Sequence, residues 1–139
     1  MAFLSVKIKQ QVFVRANFLC EYCCSPAEYS AQPFAIEHIL PISKGGSDNL
    51  GNLACACGGC NGHKYNKTEA FDPISSVLVP IFNPREMIWA EHFIWSSDFR
   101  ELIGLSDIGR ATISMLYLNR KEVSNLRKLL IMEGIHPPF

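Results

Sequence analysis

Neither sign of charge prevails in this chain: 13 Lys and Arg stand against 13 Asp and Glu, for a net charge of zero. That balance removes the overall positive field by which many nucleic-acid binders gather their ligand. Any grip on a polyanion must come from local charge and be modest and salt-sensitive. The halves differ slightly, with six Lys/Arg and four Asp/Glu in residues 1–67 against seven and nine in residues 68–139. No apolar run approaches the roughly 18 residues needed to cross a bilayer. The opening Met1–Gln10 carries Lys7 and Lys9 inside its apolar stretch and lacks a small-residue cleavage site, unlike a secretory leader. Low-complexity segments and internal repeats are also lacking. These absences predict a soluble, cytoplasmic protein with no membrane partner.

What is there suits a folded core. The chain has 139 residues, 48% of them apolar, enough for one domain over residues 1–139. Residues 5–18 place Val6, Val12, Phe13 and Ala16 near one face of a helix. Residues 34–39 read as a short strand, ended by Pro41 and the Gly45-Gly46 loop, and Leu50 to Cys55 as a second. A short helix is expected from Asn61 until Asp72-Pro73. Three β-like runs follow between residues 77 and 105. Two helices close the chain, one capped by Ser106 and one by Asn119 with Glu122 answering; Val123, Leu126, Leu129 and Leu130 should form the buried face of the second. Gly134 ends it.

In the cytoplasmic compartment expected of the chain, six cysteines point to metal or redox chemistry rather than a disulfide framework. Cys20-Glu-Tyr-Cys23 and Cys57-Gly-Gly-Cys60 are two C-x-x-C pairs separated by 33 residues. Each pair offers two thiolates from a tight turn, and four soft ligands are what a structural zinc takes. A thioredoxin-like redox role lacks the βαβ setting it needs. Cys24 and Cys55 lie beside the pairs and read as small buried hydrophobes, with substitution as ligands the alternative. Four protein ligands leave no open position, so the zinc should be structural.

Between and just beyond the pairs run Glu37-His38, Pro41, Ser43, Gly45-Gly46, Asn52-Leu53, then Cys57, Cys60-Asn61, His63 and Lys64. This arrangement resembles the HNH endonuclease motif over roughly residues 20–64. The remainder is similar to small stand-alone bacterial HNH proteins through Arg15-Ala16, Phe82-Asn-Pro-Arg85, His92-Phe-x-Trp95 and Gly109-Arg110-Ala-Thr112. The resemblance implies a ββα-metal unit and hydrolysis of DNA phosphodiesters, leaving 3′-hydroxyl and 5′-phosphate ends.

On that resemblance each matched residue receives a task. His38, with an imidazole that takes protons near neutral pH, would be the general base. Glu37 and the Asn61 side-chain oxygen would hold one hard cation, Mg²⁺ or Mn²⁺. Neighbours on a regular strand point to opposite faces, so Glu37 and His38 can share a site only where the strand ends. Asn52 would brace the loop, where otherwise it is an ordinary turn asparagine. Asn61 stands where the motif often has His, a change compatible with a hard metal. Lys64, Lys44 and Lys67 are candidates for DNA phosphates, although isolated lysines also suit a solvated face. On a helix His63 faces away from Asn61, as a surface or phosphate contact more than a ligand. Arg110 suits an internal salt bridge more than a phosphate; His92 and His136 read as structural.

The expected fold is therefore α+β: an HNH ββα-metal core over 20–67 with a structural four-cysteine zinc, an N-terminal helix, and a mixed α/β extension over 68–139 packed on the core. The expected function is a metal-dependent endonuclease acting on DNA, most simply double-stranded. The alternative is a zinc-dependent DNA-binding module without catalysis.

Overall fold

Ser5 accepts a hydrogen bond from the Ile8 amide (3.2 Å) and so caps α1 (Val6–Arg15) in the computed structural model, which describes residues 4–139. Val12 is fully buried against Leu53 and Cys55, with Ile8, Phe13 and Ala16 around it. Val6, expected in the same stripe, is 75% exposed. Six residues at about 100° each leave it about 120° away from Val12, off the buried face.

The next layer is an antiparallel pair, β1 (Ala35–His38) with β2 (Leu53–Ala56), in the register Glu37↔Ala54 and His38↔Leu53. All four β2 residues are buried, and α1 packs on this strand. β2 begins at Leu53 rather than Leu50, because Leu50–Asn52 form a 3₁₀ turn. α2 (Gly58–Lys64) begins three residues before Asn61. The Cys57 sulfur accepts from the Cys60 amide at 3.4 Å, so the second knuckle supplies the cap of its own helix. β1, β2 and α2 together make the ββα arrangement.

The extension adds two more antiparallel ladders. β3 (Glu69–Phe71) pairs with β4 (Leu78–Pro80); α3 (Trp89–His92) leads into β5 (Phe93–Trp95), which pairs with β6 (Leu102–Gly104). Within the span 77–105, expected to hold β-like runs, residues 89–95 are thus a helical turn followed by a strand. Trp89 still joins the aromatic core, 5.6 Å from Phe93 and 5.7 Å from Trp95 between ring centroids.

Two helices, α4 (Asp107–Leu116) and α5 (Lys121–Met132), close the structure. Ser106 caps α4 through the Gly109 amide at 3.0 Å. Asn119 does not cap α5; Arg120 occupies that position without a side-chain bond. The Asn119 amide instead pairs with the Leu102 backbone at 2.7 and 2.9 Å, completing the edge of β6. Leu129, expected inside, is 60% exposed, and Arg127 is buried instead. Gly134, at φ 72°, ends the helix in the left-handed region that favours glycine.

Of the sequence features outside the core, Arg85 ties the extension to it, and the others hold the extension together internally. Arg85 pairs with Glu21, and the Phe82 amide donates to Thr112 at 2.8 Å. Arg110 makes the internal salt bridge, bidentate to Asp72 at 2.9 and 2.8 Å. His92 Nδ1 meets Ser106 at 2.6 Å, and His136 Nε2 meets the Phe99 carbonyl at 2.9 Å. Among the described residues no helix is long and apolar enough to cross a membrane.

Candidate active site

Two turns bring the cysteine pairs together. The first follows α1, where the Cys24 amide closes onto the Cys20 carbonyl at 2.9 Å; the second opens α2. The sulfurs of Cys20, Cys23, Cys57 and Cys60 all lie within 4.8 Å of one another, positioned to bind a metal ion. Cys23 and Cys57 are 3.7 Å apart. A tetrahedron with metal–sulfur bonds of about 2.3 Å has edges of about 3.8 Å, so the donor set is compatible with zinc. Cys24 and Cys55 stay outside the cluster; burial, first of all, pushes each thiol up to about 12.

A divalent ion held by four thiolates leaves two net negative charges, and two arginines approach. Arg120 reaches Cys57 and Cys60 sulfurs at 3.5 and 3.6 Å. Its burial works against its charge, but the thiolates, Cys60 foremost, raise its pKa overall. Arg127, 1% exposed, donates to the carbonyls of Cys23 (3.1 Å), Leu118 (2.9 Å) and Arg100 (3.0 Å). Sequence reasoning missed both, since each stands 60 or more residues beyond the cysteines it serves.

The loop after β1 is braced from within. Asn52 accepts from the Leu40 amide at 2.8 Å and donates to the carbonyls of Leu40 (3.0 Å) and Ser47 (2.8 Å). Gly46 is required by close approach: a Cβ there would lie 1.7 Å from the Leu40 carbonyl oxygen. The strand ends at His38, and the folded-back loop carries Asp48 to the imidazole. His38 Nε2 and Asp48 Oδ1 are 2.8 Å apart. Asp48 was not singled out from the sequence; its only signal is an acid closing the Gly45-Gly46-Ser47-Asp48 turn.

Glu37 faces the other way, as strand alternation requires, and is 3% exposed. Its Oε2 accepts from the Tyr22 hydroxyl at 2.6 Å, and the Lys64 ammonium touches Oε1 at 2.5 Å in an ion pair. Burial, and after it the Glu37 charge, holds the Tyr22 phenol well above its usual range, so it remains a donor. Even so, Glu37, His38 and Asn61 line one shallow cleft of about 200 Å³, with Ile36, Pro41, Ile42 and Tyr65. β1 stops at His38, and α2 lays Asn61 across its end.

Residues 20–67, about a third of the chain, match the family model described as HNH endonuclease. This segment is an HNH domain. Among curated proteins and among solved structures, none is significantly similar to the chain.

Around the HNH cleft the lysines divide. Lys44 and Lys67 are exposed and free to meet solvent anions. Lys64, expected at a phosphate, is 2% exposed, and its ammonium is held by Glu37 and by the Ile39 carbonyl at 2.9 Å. Its charge is internal to the HNH domain, because α2 turns this face onto β1. His63 lies outside the cleft, its ring 4.9 Å from that of Tyr117. Tyr65, which the sequence did not single out, ends α2 at φ 49° and ψ −114°. Such backbone costs a side-chain-bearing residue about 1–3 kcal/mol.

Proposed function

We propose that the chain is a metal-dependent endonuclease that hydrolyses DNA phosphodiesters at the cleft of its HNH domain. One observation carries the reading: Glu37, His38 and Asn61, three positions of the HNH match, line a single cleft at the end of β1. The four thiolates would hold a structural zinc, tying the end of α1 to the start of α2 and leaving no position for chemistry.

His38 is the general base. A carboxylate at Nε2 favours the tautomer with its proton on that nitrogen, leaving the Nδ1 lone pair to take a proton from water. Asp48 is the positioning residue for that imidazole, and Asn52 holds the loop that carries Asp48. A hard cation, Mg²⁺ or Mn²⁺, supplies charge neutralisation at phosphorus and at the leaving oxygen when bound. Glu37 and Asn61 are the oxygen donors suited to it. Lys44 and Lys67 contribute phosphate contacts as point charges at the rim. The products carry 3′-hydroxyl and 5′-phosphate ends, and the chain acts in the cytoplasm as one folded unit of core and extension.

The contact of Lys64 with Glu37 favours a second reading, a zinc-dependent DNA-binding module in which the carboxylate is already neutralised. Plasmid cleavage over a titration of Mg²⁺ and Mn²⁺ separates the two. The nuclease reading expects cleavage in wild type, lost by about 10²–10⁴-fold in His38→Ala with zinc content retained. Equal inertness of wild type and variant at every metal concentration gives the binding module.

A further inference from the structure

We propose that Tyr65 is the stacking platform of the cleft, holding a DNA base beside the phosphodiester that is cut; the proposal rests on the nuclease reading. Three independent observations converge on this residue. Its backbone, at φ 49° and ψ −114°, is the kind that glycine adopts freely and side-chain-bearing residues rarely do. Its side chain is 74% exposed, so core packing does not explain a large aromatic at this position. It also borders the cleft that Glu37, His38 and Asn61 share.

The surroundings hold this ring in place. The Tyr65 amide donates to the Asn61 carbonyl at 3.0 Å, closing the last turn of α2, and the preceding Lys64 is anchored in the interior. The backbone under the ring is therefore fixed on both the helix side and the core side, and its strained turn aims the side chain outward. Ile42, 52% exposed, borders the same cleft and adds apolar surface. A cleft with an acid, an imidazole and an amide offers groups for a phosphate but none for a base. An exposed aromatic face supplies that missing contact and accepts any base, because every base has a π-face. Strain retained at a site edge where packing gives nothing back marks a residue kept for what it touches.

The test uses full-length, zinc-loaded protein in four forms: wild type, Tyr65→Phe, Tyr65→Leu and Tyr65→Gly. Binding is read by anisotropy of a labelled DNA duplex and of its single strand without added Mg²⁺; cleavage is read as KM and kcat with Mg²⁺. Stacking predicts that Gly and Leu weaken binding and raise KM by about 5- to 100-fold, with kcat changed less, while Phe stays near wild type. Tyr65→Gly should also melt no lower than wild type, since the turn loses its strain. Three results overturn the proposal: Tyr65→Gly binding and cutting like wild type, Tyr65→Phe losing as much as Tyr65→Gly, or Tyr65→Gly melting well below wild type. A wild type that binds in a Tyr65-dependent way yet never cuts ends the nuclease reading and supports stacking. A wild type that cuts while Tyr65→Gly is kinetically normal ends stacking alone, and one that neither binds nor cuts DNA ends both.

Discussion

Lys64 Nζ lies 2.5 Å from Glu37 Oε1, with both side chains 2% exposed, and Glu37 also lines the cleft that holds His38. The pair is closed by the Tyr22 hydroxyl and the Ile39 carbonyl, so each charge has a partner and a hydrogen bond out of water. Removing one partner strands the other, and a buried unpaired charge costs about 3–5 kcal/mol. Lys64→Met is therefore expected to lose that much stability in denaturant titration, and Glu37→Gln combined with Lys64→Met to recover most of it. Millimolar Mg²⁺ or Mn²⁺ should raise the melting point of Lys64→Met more than that of wild type, because a cation on Glu37 then meets no ammonium. A Lys64→Met protein as stable as wild type and indifferent to these metals would refute the coupling.

Arg120 faces the metal clip as Lys64 faces the carboxylate. Its guanidinium is the donor to Cys57 and Cys60 across 63 and 60 residues of chain. N–H donation to thiolates disperses the excess negative charge of a four-sulfur site, and outer partners of this kind are worth about 10- to 100-fold in metal affinity. Arg120→Met should lower zinc affinity by about that factor in competition with a chromogenic chelator. Arg120→Lys, which keeps the charge and loses the fork, should fall between. Wild-type affinity in Arg120→Met would mean that these contacts do nothing for the metal.

The bond between Arg110 and Asp72 makes a prediction about pH. Arg110, with help from the Ser75 hydroxyl and nearby amides, holds the Asp72 carboxyl well below the usual carboxylate range. A depressed acid contributes stability above its unfolded pKa of about 3.9 and loses it as pH falls toward the folded value. Arg110→Met should accordingly melt below wild type at pH 7, and the gap should narrow as the pH drops below about 4, where the stranded carboxylate takes up a proton. A gap that stays constant from pH 7 to pH 3 would show that Arg110 acts by packing alone.

How much of this was legible in the sequence depends on how far apart the interacting residues lie. The metal clip was readable because each half is written in four consecutive letters, Cys20 to Cys23 and Cys57 to Cys60. The ββα order followed from Pro41, Gly45 and Gly46, which end one strand and shape the turn before the next. The start of α2 was misplaced because the cap is a cysteine sulfur, which offers its lone pair only once the knuckle has folded. Lys64 is expected at a DNA phosphate because nothing local says that its helix face lies on β1; Tyr22, Glu37 and Ile39 decide that. Arg127 is the extreme case. Helical periodicity offered Leu129 for the core, whereas carbonyls from Cys23, Arg100 and Leu118 make a socket for a guanidinium that no pattern announces.

Asp48 tests whether the geometry at His38 has a chemical use. Its carboxylate sits 2.8 Å from Nε2, on a loop held by Asn52 and given room by Gly46. If the imidazole takes a proton from water, this partner selects the tautomer and holds the ring, without touching the reacting atoms itself. Asp48→Asn can still bond to Nε2 but presents an amide where a carboxylate fixed the proton, so both tautomers become accessible. Cleavage should then fall by about 10- to 100-fold in kcat with KM nearly unchanged, the mark of a loss felt in the transition state rather than in binding. Asp48→Glu, which restores a carboxylate on a longer arm, should recover part of the rate. DNA affinity and melting temperature should differ little from wild type in Asp48→Asn, which separates positioning from a fold defect. Equal kcat in wild type and Asp48→Asn, with wild type active, would leave the contact a structural tie of the loop and place the orientation of His38 elsewhere.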